Sequence, residues 1–411
     1  MQNRSHPVGS PALVAVAALL ALAVAMGIGR FAFTPLLPMM QADAGLTLQQ
    51  GGWLASVNYI GYLLGALMAA RLPLSPTTAI RLALALTAVV TLAMGWTESL
   101  AAWLVLRFAA GVTSAWVLVN ISSWALGRPQ LSGVVYAGVG VGIAVAELFC
   151  LALAHQGVSS GPSWVVLGAV ALLFSALAWR AFRGEDAAAS PAPGGSSASA
   201  ASATASGKTA ASSMYAFSQA QRAPEVAAHW PLVLCYGAFG FGYILPATYL
   251  PAQARQLVQD PAVFGLAWPV FGVAAAASTL FAAKLAARFN RRVVWAVCQS
   301  VRAVGVILPA LWTHPVSILL AALCVGGTFM VVTMVGMQEA RAVAAAAPQP
   351  LIAAMTSAFA AGQIVGPLLA SALGGRLEPA LWLASASLIL SLPALWIQSK
   401  DSSPITTGDP R

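Results

Sequence analysis

The chain has 411 residues, of which 59% are hydrophobic and only 8% charged, and its mean hydropathy is +0.82. Soluble domains carry about 25% charge, so a water-covered globule is excluded. The net charge of +9 does not point to nucleic acid, because the basic residues are scattered among loops and form no stripe with interleaved aromatics.

Apolar runs of roughly 20 residues, long enough to cross a bilayer, recur along nearly the whole chain. Runs of that length cross as helices rather than as barrel strands. Runs and breakers predict twelve helices, near residues 12–40, 47–70, 79–97, 99–126, 131–154, 163–182, 230–252, 262–285, 292–312, 315–338, 352–372 and 379–398.

The first run contains "AMGIGRFAFTPLLPMM", residues 25–40, with Arg30 inside it. A guanidinium at mid-bilayer depth costs about 2.5–3.5 kcal/mol on insertion scales, so this arginine needs a reason. Arg4, the apolar run and "AVA" at 23–25 also resemble a secretory leader with its cleavage site. The run continues apolar for fifteen residues beyond that point and has a counterpart later in the chain, so it is read as a span.

The second run carries Asn58 and Tyr59 at its middle and the small-xxx-small pair "GYLLG", Gly61–Gly65. The fourth holds Arg107 and Asn120, and the fifth holds "GVGVG", Gly138–Gly142, followed by Glu147. Pairs of that spacing let two helices approach closely. Between the sixth and seventh runs lies an Ala-, Ser-, Gly- and Pro-rich stretch, 184–229, whose composition cannot bury a core and predicts a flexible linker. It divides the chain into two six-helix halves, 1–183 and 230–411.

The seventh run shows that the halves are repeats. "FGFGYILPATYLP", Phe239–Pro251, aligns with "MGIGRFAFTPLLP" at a shift of 213, so that Gly27 meets Gly240, Gly29 meets Gly242 and Pro38 meets Pro251. Tyr243 then takes the place of Arg30. The second helix of each half ends alike, "AARL" at Ala69–Leu72 and "AARF" at Ala286–Phe289, and "GVGVG" matches "GQIVG" at Gly362–Gly366. The ninth run contains Arg302, for which sequence offers no account. The tenth ends with Gln338, Glu339 and Arg341, and the eleventh carries Gln363. Parallel repeats joined by a loose linker are a transporter architecture.

Fifteen of the twenty basic residues fall on the side of the two tails, including Arg71, Arg288, Arg291 and Arg292; only Arg255 and Arg376 lie opposite, and Arg30, Arg107 and Arg302 fall within spans. The positive-inside rule makes the tails and linker cytoplasmic. Cys150, Cys235, Cys298 and Cys324 each sit singly in an apolar run, without metal or disulfide spacing, and read as packing residues.

The chain resembles the major facilitator superfamily over all twelve helices. "AKLAARFNRR", between helices 8 and 9, is similar to that superfamily's "GKLADRFGRR" loop: Arg288, Arg291 and Arg292 match its basic positions, while Ala287 replaces the aspartate and Asn290 a glycine. The loop between helices 2 and 3 keeps only Arg71 and Arg81. In the superfamily this loop clamps one conformation through charge pairs, so loss of the acid weakens the expected latch. Arg107 with Gly111 fits the Arg-xxx-Gly motif of helix 4. A closer resemblance is to the YbfB/YjiJ branch, through "GIGRFAFTPLLPMMQ", "LASVNYIGYLLGAL", "GGTFMVVTMVGMQEAR" and "GQIVGP". The resemblance implies a permease and says little about cargo.

Depth follows from the spans. At 1.5 Å per residue Arg30 lies about 6 Å beyond the midplane, Arg107 about 7 Å and Glu147 about 6 Å, all on the outer side. In the superfamily, helices 1 and 4 line the central cavity and helix 5 packs beside them. One reading is a structural cluster in which Glu147 neutralises an arginine and pins helices 4 and 5. The other notes that one carboxylate cannot neutralise two guanidiniums, leaving a positive charge for an anionic cargo, with Glu147 competing for the same donors as it gains and loses a proton.

No nucleophile elbow, His-Glu-xx-His or Walker loop occurs, and the four histidines lie at span ends or tails; neither an enzyme, a metal site nor a cofactor is expected. The sequence therefore predicts an all-α, twelve-helix inner-membrane transporter of two pseudo-symmetric bundles, acting as a monomer and moving a small solute with protons, the best candidate being a small organic anion. Export of amphipathic drug-like compounds is the alternative within transport, and a sensor without net flux the alternative outside it. The expected cargo or coupling residues are Arg30, Arg107, Glu147, Asn58, Tyr59 and Tyr243. Arg71, Arg288, Arg291, Arg292, Glu339 and Arg341 are the expected cytoplasmic gate, with Glu339 and Arg341 at a helix end where they need not be buried.

Overall fold

A computed structural model describes residues 11–69, 71–72, 74–125, 129–182, 226–257, 267–286, 288–345, 347–373 and 377–397. The linker expected at 184–229 lies, up to residue 225, outside the described residues, as do Arg128, Arg183 and Arg376.

Among the described residues, twelve helices are long and apolar enough to cross a bilayer. The first, α1, spans Pro11–Asp43. It has an α-helical start to Leu22, a π-helical stretch Ala23–Phe31 and an α-helical end Phe33–Asp43. The rest of the first half is α2 (Leu48–Ala69), α3 (Pro76–Met94), α4 (Leu100–Ala125), α5 (Pro129–His155) and α6 (Ser160–Trp179). The second half is α7 (Trp230–Leu257), α8 (Ala267–Ala286), α9 (Arg291–Leu311), α10 (Pro315–Val343), α11 (Pro348–Ala372) and α12 (Leu377–Leu390), which continues as a 3₁₀ turn over Leu392–Trp396.

Two of the differences from the predicted spans sit at capped helix starts. α3 begins three residues earlier than expected because Ser75 caps it, accepting from the Thr78 N–H at 3.2 Å, with Pro76 at the first helical position. α9 begins behind Asn290, whose side chain accepts from the Arg292 N–H at 2.8 Å. The residue that replaces the loop glycine is thus a helix cap.

The two halves pack alike. In the first, α2 lies on α4, α3 on α4 and α6, and α5 on α1; in the second, α8 lies on α10, α9 on α10 and α12, and α11 on α7. The matched glycine motifs make the equivalent contacts. Gly142 faces the Ala23 backbone and Gly27 faces Gly142, while Gly362 faces Gly237 and Gly240 faces Phe359, in each case so closely that a Cβ would overlap main-chain atoms. Lipid is as apolar as leucine, so small residues that admit backbone contact supply the packing.

The halves meet where α5 lies on α8 and α2 lies on α11. Side chains such as Val105, Phe281 and Leu390 cover the outer surface, whereas Arg30, Asn58, Arg107, Glu147, Gln299, Arg302, Glu339 and Gln363 are buried. That inversion of the soluble pattern places polar chemistry in the interior.

Candidate functional site

Arg30 stands near the end of the π-helical stretch of α1, 2% exposed. Its Nη2 donates to Oε1 of Gln363 on α11, across the seam between the halves. The guanidinium lies over the Tyr62 ring, 3.9 Å from its centroid, with Tyr59 at 5.5 Å and Phe31 at 5.6 Å. Its Nε and Nη1 have no hydrogen-bond partner. Gln363 accepts only one N–H, so at least one two-bond edge of the guanidinium stays open. Gln363 Nε2 nearby is also unpartnered. The surroundings of Arg30 thus hold unused donors.

Arg107 does a different job from the one expected. On α4 and 3% exposed, it donates from Nη1 to the Gly29 carbonyl and from Nη2 to the Arg30 carbonyl, each at 3.2 Å. In the π register the Arg30 carbonyl would accept from the residue five positions on, Pro35, which has no N–H, so Arg107 supplies the donor it lacks. The same guanidinium lies over Phe33, 4.6 Å from the ring centroid. Asn58 Nδ2 donates to the Arg107 carbonyl at 2.9 Å, and Gly111 lets the backbone of α2 pass at Asn58. Arg107 and Asn58 therefore hold the broken helix and its α2–α4 support in place. They brace the backbone that carries Arg30, and the Arg107 Nε stays without a hydrogen-bond partner.

Glu147 is buried, but it is not the partner of either arginine; its Oε2 has no hydrogen-bond partner, and the arginines' hydrogen bonds go to Gln363 and to carbonyls. The reason is azimuth. Gly138 and Gly142 face α1, whereas Gly133, Gly140 and Ala144 face α8. Glu147, seven positions beyond Gly140, continues the second stripe. One turn before Gly272 on α8, Trp268 carries an equally unpartnered, buried Nε1–H.

Tyr243, equivalent to Arg30 in the repeat, is fully buried and stacks on Phe329 at 4.3 Å and 10°. Phe31 of the first half meets both rings edge-on, at 6.3 and 5.9 Å. Phe239, Phe271 and Phe359 complete this aromatic wall. The Tyr243 hydroxyl has no hydrogen-bond partner.

At the face where α5 begins and α10 ends, Glu339 is buried, against expectation, and takes both loop arginines: Arg291 Nε at 3.1 Å and Arg292 Nε at 2.6 Å. Arg292 also donates to the Leu395 carbonyl at 2.8 Å. An acid from α10 thus replaces the missing loop aspartate, and the cluster ties α9, α10 and the end of α12 within one half. Arg71 and Arg288 are exposed, and Arg341 is half-buried. A contact that crosses between the halves here runs from Gln338 Nε2 to Ser132 Oγ at 2.8 Å.

Sequence reading missed Tyr62 as the arginine's platform and gave Gln363 no role. Tyr62 follows Tyr59 by three residues on the same helix face, a spacing that could have flagged it. Nothing local marks Gln363 as the partner of a residue in the other half.

The family model described as an uncharacterised MFS-type transporter, YbfB, matches residues 22–206 and again 198–395. No curated protein matches the chain.

Proposed function

The chain belongs to the YbfB family of MFS-type transporters, and from that premise we propose that it moves a small organic anion across the cytoplasmic membrane by alternating access, coupled to protons. The observation that carries the cargo class is Arg30: a buried cation at the seam of two halves, bonded to a neutral amide, with Nε and Nη1 unused. Among the described residues no carboxylate forms an ion pair with it. A carboxylate fits the open edge of the guanidinium with two parallel bonds, and Gln363 Nε2 is a further donor beside it.

Because the site is shared between α1 and α11, cargo bound there touches both halves. Rocking one half against the other then changes which face the anion sees. The basic loops favour cytoplasmic tails, which places the Ser132–Gln338 contact at the cytoplasmic side.

The coupled proton is assigned to Glu147, a buried carboxyl on the α5–α8 seam, where the halves slide. This replaces direct competition for an arginine with a proton site that opens and closes with the seam. Glu147→Gln should keep anion exchange at equal pH but lose accumulation driven by a pH gradient.

Purified protein in proteoliposomes tests the cargo reading. Uptake of organic acids should disappear in Arg30→Gln and partly return in Arg30→Lys. Undiminished uptake in Arg30→Gln would refute it. The aromatic wall around Tyr243 favours one rival, export of amphipathic compounds, and that activity would tolerate loss of Arg30.

A further inference from the structure

The second half holds a cation that the proposed function leaves unused. Arg302 on α9 is fully buried, with its guanidinium 4.1 Å from the Phe239 ring centroid. None of its three side-chain nitrogens has a hydrogen-bond partner, and none of the ion pairs among the described residues includes it. Its neighbours contrast with it. Gln299, one turn earlier, donates to Ser391 Oγ at 2.7 Å and to the Leu388 carbonyl at 3.2 Å. Arg107 spends two nitrogens on carbonyls. A ring face offsets part of the cost of burying a cation, yet it accepts none of the N–H bonds in their own plane.

The charge is also linked to the cargo site through packed rings. Phe239 packs on Tyr243 at 6.4 Å and on Phe329 at 6.0 Å, and Phe31, under the Arg30 guanidinium, meets Tyr243 at 6.3 Å. The Tyr243 hydroxyl is unpartnered. Two uncompensated guanidiniums, one from each half, thus flank one aromatic wall. A single negative charge neutralises only one of them.

We propose that Arg302 is the second anchor of the cargo site, and that the cargo is a dianion with one acidic group on Arg30, the other on Arg302, and an apolar body against Tyr243 and Phe329. This rests on the reading of Arg30 as the anion anchor. Phe239 covers Arg302, so its ring swings aside when the second acidic group arrives. Binding then draws α9 of one half and α1 of the other toward a common ligand.

The test is ligand-induced thermal stabilisation of the purified full chain with matched acids: benzoate against benzene-1,3- and 1,4-dicarboxylate, and butyrate against succinate and glutarate. At least one dicarboxylate should bind tenfold or more tightly than its monocarboxylate partner. Arg302→Gln should lower that dicarboxylate to the monocarboxylate level while leaving monocarboxylate binding in place, and Arg302→Lys should keep part of the preference. Equal binding of mono- and dicarboxylates by the unaltered chain overturns the dianion, whatever the variants do. So does a dicarboxylate preference that survives in Arg302→Gln. If no acid binds, or binding ignores Arg30→Gln, the anion reading itself falls and takes this inference with it.

Discussion

Arg30 and Gln363 stand 333 positions apart, and the hydrogen bond between them joins the first helix of one half to the fifth helix of the other. Other buried charged groups are satisfied, where they are satisfied, within their own half: Arg107 by carbonyls of α1, Glu339 by arginines of α9. Arg30 alone among these three reaches across the seam, and it does so to a neutral amide. A cation stabilised by a carboxylate would have no affinity left for cargo; one held by an amide keeps its charge available.

Gln363→Glu therefore gives a sharp outcome. A carboxylate in that position pairs with Arg30 and neutralises the site, so organic-acid binding should weaken by well over tenfold. Gln363→Ala removes one acceptor and one donor and should cost roughly ten- to a hundredfold, the scale of a hydrogen bond involving a charged group. Titration of thermal stability with the best acid measures both. Unchanged binding in Gln363→Glu would place the anion elsewhere.

The two arginines of the first half should separate in a stability assay. Arg107→Leu strands the Gly29 and Arg30 carbonyls in the bundle interior and should destabilise the protein by about 2–4 kcal/mol. Lysine cannot span both carbonyls with one ammonium, so Arg107→Lys should recover little. Arg30→Gln removes a poorly compensated buried charge and should leave unfolding neutral or raise its midpoint. Denaturation in detergent, read by tryptophan fluorescence, reports all three. Loss of stability in Arg30→Gln equal to that in Arg107→Leu would contradict the division of labour.

Gly142 and Gly362 each lie against the backbone of the first helix of their own half. Gly142→Val and Gly362→Val should each destabilise by about 2 kcal/mol or more, since overpacking a tight contact costs 1–3 kcal/mol when neighbours can shift and these neighbours are main chain. Gly52, which has open space around it, is the control; Gly52→Ala should be harmless.

The spans, the repeat and the buried Arg30 were legible in the sequence, because length, small-residue spacing and an isolated charge are local signals. The fate of Glu147 was not. Depth can be counted along a helix, but azimuth turns by about 100° per residue, and Glu147 shares the level of Arg30 while facing α8. The bonds of Arg107 were not legible either: they go to carbonyls of the π-helical stretch Ala23–Phe31, which no residue pattern announced. Glu339 answers a loss that was legible, the missing aspartate beside Arg288, with an acid some fifty positions away. Arg302 had no account from sequence because an orphan charge acquires meaning only from what surrounds it, here Phe239 and Tyr243.

The Ser132–Gln338 contact provides the test of movement. Nε2 of Gln338 lies 2.8 Å from Ser132 Oγ, and nearby Gly133 packs against Ala283 and Thr279 of α8, so α5 touches both α8 and α10 at this face. If the halves rock about the central site, these residues must part in every cycle. Cysteines at both positions, in a chain freed of Cys150, Cys235, Cys298 and Cys324, should cross-link readily and reduce anion exchange to less than about a tenth, the residue of uncrosslinked protein. Reductant should restore exchange, and either single cysteine should exchange normally without it. Binding of the anion to the cross-linked protein from the opposite face should persist, since Arg30 and Gln363 lie apart from the cross-link. Full exchange by fully cross-linked protein would mean that this face does not open, and alternating access between these two halves would have to be abandoned.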